Sequence, residues 1–130
     1  MSLIKGTHHI AVKTRGVAEF NKAISFYQDL LGMPVVRSWG EGEGSFAMLS
    51  TGDAMMEIMA SGTDSPGQGA LRHIAFRTDD VDACVAKVRA AGYKITMEPS
   101  DKVLGSSYAV RIAFCLGPQG EEVEFFTEKG

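Results

Sequence analysis

Residues 9–12, His-Ile-Ala-Val, and residues 73–76, His-Ile-Ala-Phe, are two copies of one short motif. Each copy continues into a segment with helical spacing of apolar residues, then a glycine, then strand-like segments, and finally a glutamate inside an apolar run. A pattern that returns in this way predicts two copies of one structural unit. The chain therefore divides into two halves that are expected to fold alike.

Two glutamates, Glu57 and Glu124, lie near the ends of the two copies. Glu57 lies in the run Met-Met-Glu-Ile-Met, and Glu124 lies in the run Glu-Val-Glu-Phe-Phe. The separation from His9 to Glu57 is nearly the same as that from His73 to Glu124. Each half thus starts at a histidine and finishes at a glutamate.

One helix is predicted in each half. The first, over 16–31, has an apolar stripe at steps of three and four, formed by Val17, Phe20, Ile24, Tyr27 and Leu31. The second, over 80–91, begins after Asp79 or Asp80 as N-cap and stops at Gly92. Both helices are amphipathic, so each needs a sheet to cover.

The remaining apolar stretches predict eight strands, near 8–13, 35–39, 45–50, 54–60, 72–77, 93–97, 108–115 and 121–127. Each half then has the order strand, helix, strand, strand, strand, which predicts an α+β fold made of two βαβββ modules. Module one covers about 6–60 and module two about 71–128, with turn-rich residues 61–70 as the linker. A chain of 130 residues is expected to form a single domain, 1–130.

The composition narrows the classes of function. A net charge of −3 and an acidic pI argue against a nucleic-acid partner, which needs clustered lysine and arginine. No apolar run has the length needed to cross a bilayer, so no membrane partner is expected. Cys84 and Cys115, without a secretion signal, indicate a reduced cytoplasmic protein, in which each is expected to be a small buried apolar residue.

Strand parity predicts a site. Side chains alternate across a strand, so His9, Glu57, His73 and Glu124 each point away from the helix of their own half. If the two sheets pair edge to edge and curl, that side becomes one concave surface. Two imidazoles and two carboxylates there suit a divalent ion, with one or two positions left open for water or substrate.

Four stretches carry a family resemblance: 9–12, Phe-Tyr-Gln-Asp-Leu-Leu-Gly-Met at 26–33, Leu-Arg-His-Ile-Ala-Phe at 71–76, and Gly-Pro-Gln-Gly-Glu-Glu-Val-Glu at 117–124. Together they resemble the vicinal oxygen chelate superfamily, which includes glyoxalase I, methylmalonyl-CoA epimerase, fosfomycin-resistance thiol transferases, extradiol dioxygenases and bleomycin-binding proteins. The stretches are specific for the superfamily but not for one activity.

The resemblance implies a curled mixed sheet with the helices outside and a metal in the concave face, usually in a homodimer. The family's ligand positions map onto His9, Glu57, His73 and Glu124, and they hold one divalent ion such as Ni, Co, Zn, Mn or Fe. His9 is chosen over its neighbour His8 because His9 aligns with His73 in the repeat. Whether the site forms within one chain or across a dimer interface stays open.

The first-half carboxylate, Glu57, favours the branch that resembles glyoxalase I and the epimerase. The leading hypothesis is therefore a lyase or isomerase that moves a proton next to a carbonyl, on a small substrate with two neighbouring oxygens. A metal-bound carboxylate, Glu124 or Glu57, is the expected general base.

Three basic residues, Lys13, Arg77 and Arg111, have the parity of the ligands on their own strands and are candidates for binding an anionic substrate. Simple charge pairing with nearby acids is the alternative for each. Two other functions stay open for the chain as a whole. One is a ligand-sequestering protein of the bleomycin-binding kind, without catalysis, and the other is a metal-dependent thiol transferase or dioxygenase.

Overall fold

The computed structural model describes residues 2, 5–62 and 71–130. The chain forms two compact units, Met1–Ser65 and Pro66–Gly130. Each unit contains one mixed four-stranded sheet and the element order predicted from the repeat, so the α+β class and the βαβββ order are confirmed. Most of the predicted linker, 63–70, lies outside the described residues, and the single domain stays a prediction.

The first unit is built on a sheet with the strand order β1-β4-β3-β2. Its elements are β1 (His9–Lys13), α1 (Gly16–Ile24), a π-helical segment (Ser25–Leu30), β2 (Val35–Trp39), a short 3₁₀ turn (Gly42–Gly44), β3 (Phe46–Ser50) and β4 (Met55–Met59). Strand β1 at the edge of the sheet pairs with β4 in parallel, whereas the other pairs are antiparallel. The first and last strands of the unit are therefore neighbours.

The second unit repeats this topology with the strand order β5-β8-β7-β6. Its elements are β5 (His73–Arg77), α2 (Val81–Ala90), β6 (Ile95–Leu104), β7 (Tyr108–Leu116) and β8 (Glu122–Glu128). Strands β5 and β8 are parallel, as β1 and β4 are. In each unit the strand that begins with the motif histidine thus lies beside the strand that carries the glutamate.

The helix of the first unit departs from the predicted stripe. Ala23, Phe26 and Tyr27 are fully buried, but Val17 is 41% exposed. The helix continues into the π-helical segment, whose wider turns advance more residues per turn than an α-helix does. Tyr27 of the predicted stripe lies within this segment and is buried as predicted, whereas Val17 is exposed in the first turn of α1.

The helix of the second unit matches its prediction. The Asp80 carboxylate accepts a hydrogen bond from the Ala83 backbone N–H at 2.9 Å, which identifies Asp80 as the N-cap. Val81, Val85 and Val88 are buried. Gly92 follows the helix with φ of +92°, a conformation that favours glycine.

Strand β6 is longer than predicted. The stretch 98–107 is expected to be a loop because it contains Pro99 and a glycine, yet β6 continues to Leu104 and pairs with β7. Strand β6 lies at the edge of its sheet, and its register with β7 shifts between Met97 and Ser100. Proline is tolerated at such an edge position because it need not donate to the ladder there.

The helix-facing side of each sheet forms the core of its unit. The buried strand residues on this side include Ala47, Leu49, Met56 and Ile58 in the first unit and Ala113, Cys115, Val123 and Phe125 in the second. Burial raises the pKa of the Cys115 thiol to about 12, so this residue packs as a small apolar group. Cys84 is half-buried, and both cysteines are free thiols.

The helices of the described residues are short. None combines the length and the apolar character that a helical membrane span requires.

Candidate functional site

His9 and Glu57 lie together on the face of the first sheet that points away from α1. The parallel register of β1 and β4 places Glu57 opposite Ala11, two residues along from His9. Because the side chain of Ala11 is only a methyl group, the carboxylate has room to reach diagonally toward the histidine. The distance from His9 Nε2 to Glu57 Oε1 is 3.8 Å.

His73 and Glu124 form the corresponding pair in the second unit. Strands β5 and β8 have the same parallel register, which places Glu124 opposite Ala75. The distance from His73 Nε2 to Glu124 Oε1 is 3.1 Å, which is within hydrogen-bonding range. The shared alanine of the His-Ile-Ala motif therefore has the same function in both units: it makes space for a cross-strand His–Glu contact.

In both pairs the imidazole is the accessible partner. The side chains of His9 and His73 are each 39% exposed, whereas those of Glu57 and Glu124 are 17% and 8% exposed. The carboxylates are thus the more buried members of the two pairs, and the imidazoles are the more exposed members. An ion or substrate arriving from solvent would meet nitrogen donors backed by oxygen donors.

The environment of Glu124 perturbs its carboxylate. Burial raises the pKa of Glu124, and attraction to His73 together with their hydrogen bond lowers it only in part. A desolvated carboxylate with a raised pKa is a better proton acceptor than one in water. The ring of Phe114, opposite Glu124 in the register, also contacts His73 edge-on, with 5.2 Å between ring centroids.

The two pairs differ in their neighbours. Opposite Glu57 the register places Met48, where the second unit has Phe114 opposite Glu124. Phe114 alternates along β7 with the buried residues Ala113 and Cys115, so its ring lies on the ligand face. The aromatic ring beside His73 was not predicted, because the face of a β7 residue relative to Glu124 depends on the register between β7 and β8.

The four donors fit a divalent ion by their chemistry. Imidazole nitrogen and carboxylate oxygen are the ligands that Zn, Ni, Co, Mn and Fe share in proteins. Each unit contributes one of each, on one face and in contact. Among the described residues, neither unit by itself gathers three or more His, Cys, Asp or Glu side chains. The four-ligand centre stays a prediction.

Lys13 and Arg77 lie on the same sheet faces as the His–Glu pairs. The register places Lys13 opposite Met59 in the first unit and Arg77 opposite Phe126 in the second. Both residues are exposed, at the ends of the strands that begin with the motif histidines. Their positions agree with the predicted parity.

Arg111 lies on the other face, and its predicted parity is wrong. It is opposite Thr127, on the side that carries α2. Its guanidinium donates two hydrogen bonds of 2.8 Å to the Asp82 carboxylate and one of 3.1 Å to Asp101. Lys129 also contacts Asp101, at 3.2 Å. Arg111 is therefore paired with acidic side chains, which is the alternative expected for it from the sequence.

Replacing Arg111 by glutamine is expected to lower stability at neutral pH without changing turnover. The hydrogen bonds from Arg111 lower the pKa of Asp82, and those from Lys129 and Arg111 lower the pKa of Asp101. A carboxylate whose pKa is lower in the folded than in the unfolded protein stabilises the fold fully at pH values above its ordinary pKa of 3.8. That stabilisation is lost as the pH falls through the lowered pKa values. The difference between wild type and variant in urea unfolding should therefore shrink in acid. A large loss of turnover would contradict this expectation and would show that Arg111 takes part in the reaction.

Trp39 and Phe46 form a stacked aromatic pair on the ligand face of the first sheet. Their ring planes are 5° from parallel and their centroids are 5.0 Å apart. Phe46 is opposite Met59, which is two residues from Glu57 on the same face. The tryptophan remains 42% exposed, so its outer face is available to a ligand.

Comparison with known proteins identifies the family of the chain. The sequence profile described as Glyoxalase/Bleomycin resistance protein/Dioxygenase superfamily matches residues 6–125. A lactoylglutathione lyase of Haemophilus influenzae is 33% identical over 121 residues, covering 87% of each chain. A probable lactoylglutathione lyase of Vibrio cholerae is 30% identical over 130 residues, covering 94% of this chain and 92% of its own.

Solved structures share the fold. TnmS3, an antibiotic binding protein from Streptomyces sp. CB03234, aligns with a TM-score of 0.75 over 99% of this chain and 100% of its own, at 21% identity. At that identity the likeness shows the fold alone. The repeat, the paired parallel strands and the profile match together show that this chain belongs to the glyoxalase, bleomycin resistance and dioxygenase superfamily, the vicinal oxygen chelate family.

Proposed function

We propose that the chain is a divalent-metal-dependent lyase or isomerase that moves a proton next to a carbonyl on a small substrate with two neighbouring oxygens. The observation that carries this proposal is the matched pair of His–Glu contacts, at 3.8 Å and 3.1 Å, at equivalent positions of the repeat. The relatives named lactoylglutathione lyase support the same class of reaction. Both cysteines are free, which is compatible with the proposed cytoplasmic location.

His9, Glu57, His73 and Glu124 are the proposed ligands of one divalent ion. The two pairs come from the two units of one chain, or from two chains of a homodimer. Such an ion, when bound, supplies Lewis-acid polarisation of the substrate carbonyl. The chain itself has to supply the base, the contacts that orient the substrate and the exclusion of water.

Glu124 is the proposed general base. Its carboxylate is nearly buried, its pKa is raised, and the hydrogen bond with His73 fixes its orientation. It takes the proton from the hydroxyl-bearing carbon beside the carbonyl and returns it to the carbonyl carbon, while the hydroxyl proton moves to the former carbonyl oxygen, so the product is an isomer of the substrate. A hemithioacetal of a 2-oxoaldehyde would thereby become a 2-hydroxy thioester. Glu57, which is more exposed, is proposed as a ligand and as the second candidate base.

Lys13 and Arg77 are proposed to bind the anionic end of the substrate. Each lies at the far end of the strand that begins with a ligand histidine, on the ligand face. An exposed ammonium or guanidinium attracts a carboxylate without a large desolvation cost. These two residues would orient the substrate relative to the carboxylate base.

A second candidate function, ligand sequestration without catalysis, is favoured by one observation. The stacked pair of Trp39 and Phe46 presents an open aromatic face beside the first His–Glu pair. Aromatic faces of this kind bind planar ligands by offset stacking. Binding of that sort needs neither metal nor proton transfer.

Removal of divalent metal separates the two candidates. Protein dialysed against a chelator is expected to lose turnover of hemithioacetals formed from 2-oxoaldehydes and small thiols, and to regain it with Ni, Co, Zn, Mn or Fe. Solvent deuterium entering the product, followed by NMR, reports the proton transfer directly. Full turnover in metal-free protein would contradict metal dependence. Tight binding of planar ligands with no deuterium exchange in any metal form would select sequestration.

A further inference from the structure

Arg37 and Trp39 share the ligand face of the first sheet because of an irregularity in its edge strand, β2. Val35 is opposite Leu49, a core residue on the helix side. The next pair joins Arg37 to Met48, so two residues of β2 advance against one residue of β3. Such a β-bulge moves the side chains that follow it to the other face of the sheet. Arg37 and Trp39 therefore point away from the helix.

The guanidinium of Arg37 has no acidic partner among residues 2, 5–62 and 71–130. Arg89 and Arg111, by contrast, are paired with carboxylates. Arg37, Ser38 and Trp39 line an open cleft of about 390 Å³. This volume lies within the range of roughly 300–1,000 Å³ that is usual for small-molecule sites. The cleft thus combines room for a ligand with a cation that is available to bind an anion.

Trp39 adds a planar apolar surface beside this cation. One face of its ring stacks on Phe46, and the residue is 42% exposed, so the other face is open to a ligand. Arg37 and Trp39 are two residues apart along the strand, a spacing of about 7 Å. An aromatic ring on Trp39 and a carboxylate at Arg37 can therefore belong to one small molecule.

The second unit lacks both groups at the equivalent positions. The register of the two sheets shows that Met97 corresponds to Arg37 and that Ser100 corresponds to Trp39. The same sheet topology thus forms without a cation or an indole at these two positions. The pair is a property of the first unit and not a requirement of the repeated fold.

We infer that Arg37 and Trp39 form a binding subsite for a planar aromatic carboxylate, whose ring stacks on the indole and whose oxygens accept hydrogen bonds from the guanidinium. Across the sheet Met48 alone separates Arg37 from Glu57, which is two strand spacings or about 10 Å. The subsite is distinct from Lys13, which lies on the opposite edge strand. Use of the subsite by a substrate rests on the proposed function, whereas binding of the aromatic acid needs neither metal nor turnover.

The fluorescence of Trp39 tests the subsite directly, because this residue is the only tryptophan of the chain. The probe is para-nitrobenzoate, a planar anion that quenches indole fluorescence, titrated into metal-free protein. Saturable quenching is expected. The neutral analogue para-nitrobenzamide should bind at least about 10-fold more weakly, because hydrogen bonds to charged groups are the stronger ones. Cyclohexanecarboxylate, which has the charge but no planar ring, should compete poorly with the probe.

Three variants assign the two contributions. Arg37→Gln should weaken binding of para-nitrobenzoate by about 10-fold and leave binding of para-nitrobenzamide unchanged. Trp39→Leu, followed by calorimetry, should weaken binding of para-nitrobenzoate by roughly 2- to 10-fold. Arg89→Gln makes the first change at an exposed arginine of α2 that is paired with Glu98, and this matched control should bind as wild type does.

Quenching that does not saturate, or that is the same in wild type and Arg37→Gln, would overturn the inference. Equal affinity for the carboxylate and the amide would also overturn it, since the guanidinium would then have no part in binding. Saturable binding without turnover of any hemithioacetal would retain the subsite and contradict the proposed function. Turnover without binding at Trp39 would retain the proposed function and contradict the subsite.

Discussion

Glu124→Gln is expected to lower turnover by about 10²–10⁴-fold, the usual contribution of a general base. The carboxylate is the buried member of its pair and the one whose pKa burial raises. Glutamine has the same shape and can still accept a hydrogen bond from His73, but it cannot take a proton at neutral pH. Turnover and metal content are to be measured together, so that loss of the base is separated from loss of the ion.

Glu128→Gln is the matched control for this variant. Glu128 lies on the same strand and the same face, four residues further along, and accepts a hydrogen bond of 2.7 Å from the Tyr108 hydroxyl. The same chemical change there should leave turnover near wild type. Unchanged turnover in Glu124→Gln, with full metal content and the wild-type circular dichroism spectrum, would remove Glu124 from the reaction. Glu57→Gln would then be the next variant to assay.

Phe125→Ala is expected to destabilise the fold by about 3–5 kcal/mol, the typical cost of removing a buried aromatic ring. Phe125 is 1% exposed and lies on the helix-facing side of β8, among the residues that α2 covers. Natural domains have only about 5–15 kcal/mol of stability, so this loss is a large part of the total. Urea unfolding followed by circular dichroism measures it, and Phe125→Leu is the milder variant if Phe125→Ala does not fold.

Phe126→Ala supplies the control at the next position. Phe126 is the same residue type on the same strand, but it points to the ligand face, where it contacts the ring of Tyr108 at 6.1 Å between centroids. Its half-buried ring should contribute much less to the free energy of unfolding. Equal losses in Phe125→Ala and Phe126→Ala would contradict the strand parity on which both units of the structure rest.

The two units carry the same site geometry with unequal environments. The carboxylate of Glu124 is more buried than that of Glu57 and lies closer to its histidine. Phe114 borders the second pair, where Met48 borders the first. These differences agree with the choice of Glu124, rather than Glu57, as the first candidate for the proposed general base.

Much of the fold and the membership of the His–Glu pairs followed from the sequence, because both depend on local periodicity. Successive side chains of a strand point to opposite faces of the sheet. No tertiary information is therefore needed to assign the parity of His9, Glu57, His73 and Glu124 within their strands. The cap at Asp80 and the stop at Gly92 are local as well. The repeat then predicts which strands are equivalent.

Arg111 shows where local periodicity is insufficient. No predicted ligand lies on β7, so the parity of its residues relative to Glu124 depends on the register between β7 and β8. The turn between those strands and the packing of α2 determine that register. A shift of one residue in register moves every side chain of a strand to the other face. Only the folded sheet therefore shows that Arg111 pairs with Asp82 on the helix side.

The amino-acid order by itself determined the two βαβββ modules and the strand parity of His9, Glu57, His73 and Glu124, since side-chain alternation and turn chemistry are properties of the local backbone. The tertiary structure decided the burial that raises the pKa of Glu124 and the face on which Arg111 lies. It also decided that the first helix continues into a π-helical segment. Each of these depends on how distant parts of the chain pack, which no periodicity in the sequence encodes.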